Sequence, residues 1–112
     1  MLHKSKVISG AARYIDEEIL SKLKGSIAFW GFGVAAGIVM QDAERTLNAL
    51  IDHPIAKFYN LADGELIDAD RLYGLLHSMA EKSAATINIK ILGPLTLKVE
   101  DVEKLYRYMK EA

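Results

Sequence analysis

The chain has 112 residues, 51% of them hydrophobic and 26% charged, enough for one globular domain and too few for two ordinary ones. Its 14 basic and 15 acidic residues leave a net charge of −1. That argues against nucleic-acid binding, in which a basic excess neutralises phosphates and supplies most of the affinity. The chain has no cysteine, which excludes thiolate catalysis, zinc–cysteine sites and iron–sulfur clusters and suits a reducing compartment.

From Val7 to Lys24 the apolar residues Ile8, Ala12, Ile15, Ile19 and Leu23 recur at steps of three and four, which predicts an amphipathic helix. Arg13, Asp16, Glu17 and Glu18 interrupt any continuous apolar run, so this segment does not read as a secretory signal. Gly25–Ser26 reads as a break, with Ser26 able to cap a second helix.

The stretch GSIAFWGFGVAAGIVMQ, Gly25 to Gln41, has no charge and holds four of the chain's eight glycines. Three readings compete for it. As a membrane span it is short of the roughly 20 residues a bilayer requires, and Asp42 follows at once. As a dinucleotide-binding turn it offers Gly31, Gly33 and Ala36 at the right spacing, with Asp52 downstream. That fold needs a second parallel strand ending at the acid, and AERTLNALI is helical in character instead. The third reading is a buried helix, with Ala35, Val39, Ala43, Leu47 and Leu50 extending one face so that it runs from about Ala28 to Ile51. Gly33 and Gly37, four apart, then let another backbone approach closely. The third reading is the preferred one.

Pro54 ends that helix, because the residue before proline is pushed out of the helical region. IAKFYNLADG reads as a short helical turn closed at Asp63–Gly64, and Glu65 to Ile67 as a third short strand. Asp68 is an N-cap with Ile67 and Leu72 as a hydrophobic staple, opening a helix whose inner face is Leu72, Leu75, Leu76 and Met79. TINIKI and LTLKV alternate apolar and polar residues across a Gly93–Pro94 turn, predicting a β-hairpin. The last helix turns Val102, Leu105, Tyr106 and Met109 inward, with Glu100 and Asp101 at the positive end of its dipole. DRLYGLLHSM and EKLYRYM echo one another, as reuse of one strand-to-helix pattern.

Chemistry-bearing motifs are sparse. His3, His53 and His77 are scattered, and His77 with Glu81 reads as a surface pair rather than the start of a metal site. Asp63, Glu65, Asp68 and Asp70 lack the upstream acids of a calcium loop. Tyr59, Tyr73, Tyr106 and Tyr108 read as core-edge residues that could also form an interface.

The expectation is therefore a single α+β domain spanning 1–112, predominantly helical, with a β-hairpin at about residues 86–99 before the C-terminal helix. The preferred function is a non-enzymatic interaction or assembly protein, cytoplasmic and self-associating or binding a protein partner through the apolar helix 28–51. Its candidate interface is Phe29, Trp30, Gly33, Gly37 and Met40, a helix apolar on nearly all sides needing cover on all of them. The alternative is a small membrane-associated protein anchored by residues 26–41, and third comes a dinucleotide-binding fragment. No catalytic residue, metal or cofactor is expected.

Overall fold

The computed structural model describes residues 1–21, 32–89 and 93–111. It is a mostly helical α+β domain with a β-hairpin before the last helix, as expected, and among the described residues the strands form two small antiparallel sheets. Strand β1 (Leu2–His3) leads into helix α1 (Lys4–Tyr14). His3 caps α1, its ring accepting the Ser5 N–H at 3.2 Å, and the Lys4 N–H donates to the Glu65 carbonyl at 2.7 Å. Helix α2 (Phe32–Asp52) and short α3 (Pro54–Phe58) follow. Then come β2 (Ala62–Asp63), β3 (Leu66–Ile67) and α4 (Ala69–Glu81). Strands β4 (Thr86–Ile89) and β5 (Gly93–Thr96) precede α5 (Val99–Glu111).

Among the described residues, α1 is the helix on which the others are built. It packs most extensively on α5 and next on α2, while α4 packs on the other side of α5. Val7, Gly10 and Tyr14 are buried along α1, and so are Ala12 and Ile15, because neighbours flank it on two sides. Gly10 sits where α1 and α5 cross. A Cβ there would lie 2.5 Å from Met109 Cα and 2.7 Å from the Tyr108 carbonyl oxygen. Those are backbone atoms and cannot turn aside. One turn on, the Tyr14 and Tyr108 rings meet edge to face at 5.8 Å.

The first helix does not keep its α spacing. From Ile15 to Leu20 it continues as a π-helical turn, in which hydrogen bonds reach five residues back. Ile15 and Leu20, five apart, are both buried, whereas Ile19 is only half-buried. The expected sequence of inward positions therefore slips by one residue after Ile15, and Leu23 lies outside the described residues. The slip also turns Glu18 toward α5, where it accepts the Tyr108 hydroxyl at 3.1 Å and lies 3.7 Å from Lys104.

Helix α2 ends at Asp52 just ahead of Pro54, and the predicted start at Ala28, with Ser26 as its cap, lies outside the described residues. Between Gly37 and Asp52 it is uninterrupted, so the acid ends a helix and not a second strand. Asp63–Gly64 does not close a helical turn. Asn60, at φ +52°, ends α3, and Gly64, at φ +62°, opens the two-residue turn between β2 and β3. Glycine first in such a turn is the type II′ choice, whose twist matches antiparallel strands. β3 is the middle strand, paired with β2 and also with β1, a strand of two residues too short to register as a pattern.

Asp68 caps α4 by accepting the Arg71 N–H at 3.1 Å, with the staple residues Ile67 and Leu72 buried beneath it. In the hairpin, Ile87 faces Leu95 and Ile89 faces Gly93, so Gly93 and Pro94 belong to β5 rather than to the expected turn, and residues 90–92 lie outside the described residues. Proline suits this two-stranded sheet, where every strand is an edge. Asp101 closes the start of α5 by accepting the Lys98 N–H at 2.9 Å.

Two glycines separate packing from propensity. Gly10→Ala should lower stability by about 1–3 kcal/mol, since overpacking against backbone outweighs the roughly 1 kcal/mol that alanine adds to a helix. Gly74, in α4, is exposed and a Cβ there would meet nothing within 4 Å, so Gly74→Ala should raise stability by about 1 kcal/mol. Urea unfolding of the two variants checks both signs.

Candidate functional site

On α2 the buried stripe is Val39, Asp42, Ala43 and Leu47, while Met40, Gln41, Glu44 and Arg45 are exposed. With about 3.6 residues per turn, Gly33 and Gly37 fall on the side of Met40 and Glu44, about a third of a turn from the buried stripe. Met40 is 42% exposed, large for an apolar side chain. Three of the five expected interface residues, Gly33, Gly37 and Met40, thus share one side of a continuous helix. Phe29 and Trp30 lie outside the described residues. From Val39 onward α2 is one-sided rather than apolar all round, so any all-round apolar character is confined to its first turns. A second large exposed apolar group is Phe58, 85% exposed and edge-on to Tyr59 at 6.0 Å.

Asp42 is the buried charged side chain among the described residues, 1% exposed, and it pairs with Arg45 one turn along. Burying a carboxylate is tolerable only with such partners, and Arg45 keeps most of its own surface in water.

A feature not anticipated from sequence lies on the other side of α2. Helices α2 and α4 stand on opposite walls of an apolar groove of about 850 Å³. Val7, Ile8, Ala11 and Ile15 of α1 and Leu105 and Met109 of α5 contribute its floor, and β4 contributes Thr86, Ile87 and Asn88. From α2 come Leu47 and Leu50, with Arg45 and Thr46 as polar members, and His53 follows just after the helix. From α4 come Leu72, Leu75, Leu76, Ser78 and Met79, with Lys82 as the residue that caps its end. Sequence periodicity placed Leu76 and Met79 on the buried face of α4. They are half-buried, and the groove is the reason.

The end of α4 fixes one corner of this groove. The Ala84 N–H donates to the Met79 carbonyl at 2.8 Å and the Ser83 N–H to that of Ala80 at 3.0 Å. This is the Schellman arrangement, which satisfies the last carbonyls of a helix. It requires a left-handed residue, here Ser83 at φ +56°, where glycine is the usual occupant. The motif holds Lys82 at the helix terminus and Met79 and Ala84 together beside the cavity.

Polar groups elsewhere form surface chains. Tyr106 donates its hydroxyl to Asp70, stacks on Tyr73 at 4.5 Å and lies under the Lys110 ammonium. The Asp70 hydrogen bond holds the Tyr106 hydroxyl above its ordinary value. Tyr108 is pushed up to about 12, by burial first and then by hydrogen bonding to Glu17 and Glu18. His77 meets Glu81 at 2.7 Å as an i, i+4 pair. Among the described residues no three His, Asp or Glu side chains converge on a point that could hold a metal, and no helix is long and apolar enough to cross a membrane.

Compared with known protein families, curated proteins and solved structures, the chain matches none.

The α4 terminus is directly testable. Ser83→Gly should raise stability by about 0.5–1 kcal/mol, because it removes the cost of a left-handed non-glycine residue while adding unfolded-state entropy. Thermal unfolding that shifts downward would show that the Schellman turn does not govern this end.

Proposed function

We propose that the chain is a non-enzymatic assembly protein that self-associates through the side of α2 bearing Gly33, Gly37 and Met40. The observation that supports this reading is the division of α2. Its inward stripe already packs on α1, whereas Gly33 and Gly37 share a side with an exposed methionine. Two such helices can cross closely at the glycines, since no side chain holds the backbones apart, and Met40 then covers its counterpart. A twofold dimer is the commonest closed assembly and would use the same patch on both copies. The exposed Phe58 is consistent with a protein whose surface contacts other chains.

Light scattering of the full chain at micromolar concentration should give twice the monomer mass. Met40→Glu places a charge on an exposed position without touching the core, and should shift the protein to a folded monomer. Gly37→Leu should do the same by holding the two backbones apart. A wild type that remains monomeric at 100 μM, or a dimer indifferent to both substitutions, would sink the assignment.

A further inference from the structure

We propose that the groove between α2 and α4 binds a single-chain amphiphile with a terminal carboxylate, the anion of a long-chain fatty acid. The proposal goes beyond self-association and does not depend on it. The hydrocarbon part follows from the walls. Ile8, Leu50, Leu76 and Met79 are each only half-buried around a space of about 850 Å³. That volume falls within the roughly 300–1,000 Å³ of small-molecule sites, which combine a mostly apolar lining with a few polar groups.

The head group follows from the charges. The chain carries more acidic than basic residues, yet no carboxylate is among the described residues that line the groove. Among the described residues its charged lining side chains are Arg45 and Lys82. Arg45 already pairs with Asp42, whereas Lys82 has no ion-pair partner among the described residues. Among the described residues Lys82 is the ammonium left for a ligand, and a single cation matches a carboxylate of charge −1 better than a phosphate monoester of about −2 at neutral pH. Ser78 lies one turn before Lys82 on the same face of α4, so a hydroxyl donor and the ammonium line the same wall.

The test is calorimetry on the full chain with octanoate, decanoate and dodecanoate, each below its micelle concentration. Full burial makes each added CH₂ worth about fourfold in affinity, so dodecanoate should bind at least tenfold more tightly than decanoate. Dodecyltrimethylammonium, with the same chain and the opposite charge, should bind at least tenfold more weakly than dodecanoate, and dodecyl phosphate no more tightly. Lys82→Glu, at an exposed position, should cost about tenfold for dodecanoate and nothing for the cationic ligand. Ala49→Trp, also exposed, should close the mouth and abolish binding while circular dichroism stays unchanged. Methyl NMR of the wild type, independent of any variant, should place the dodecanoate-induced shifts at Ile8, Leu50, Leu76 and Met79. Equal affinity for the two head-group charges, affinity independent of chain length, or shifts confined to other methyls would each overturn the proposal.

Discussion

The close crossing of α1 and α5 is the constraint from which most of this structure follows. Gly10 lets the two helices approach until Met109 backbone atoms occupy the space of a side chain. That proximity brings Tyr14 onto Tyr108 and aligns Glu18 with Lys104 and the Tyr108 hydroxyl. It also leaves α1 with a second side for α2 and leaves the far side of α5 for α4. Four helices arranged in that order, α2, α1, α5, α4, curl round without α2 and α4 closing on one another. The groove is the gap in the curl.

The π-helical turn serves the same crossing. Had Ile15 been followed by an α turn, Ile19 would have taken the core position and Leu20 would have turned aside. The wider turn keeps Leu20 beneath the fold and presents Glu18 to α5. π-turns often occur at functional sites, but here the local contacts already account for it.

The elements whose cues are local were legible in the sequence. Asp68 with Ile67 and Leu72 marked α4, alternation through Ile87 and Ile89 marked β4, and Val102, Leu105 and Met109 marked α5. Features that arise from distant contacts were not. Gly10 sits in an ordinary helical pattern, whereas Gly33 and Gly37 catch the eye because they share a four-residue spacing. Only the packing reveals that Gly10 is a glycine pressed against a backbone. β1 is two residues whose strand character comes from β3, more than sixty positions later. The groove was invisible for the same reason: Leu76 and Met79 fit a helical face, and nothing in their spacing says that the opposing wall stands apart. The echo between DRLYGLL and EKLYRYM does gain a spatial counterpart, since its two tyrosines, Tyr73 and Tyr106, stack on one another.

The crossing also orders events in time. Gly10 and Met109 stand near opposite ends of the chain, and β1 waits for a hairpin made from residues 62–67. A central helix with so remote a principal partner cannot be locked in place early, since loop closure over most of the chain costs entropy before any contact offsets it. During synthesis α1 emerges before α5, so the flank of α1 that carries Gly10 waits for its partner while α2 is already at hand for the other. That one glycine therefore bears on the order in which the fold assembles as well as on the stability of the finished fold.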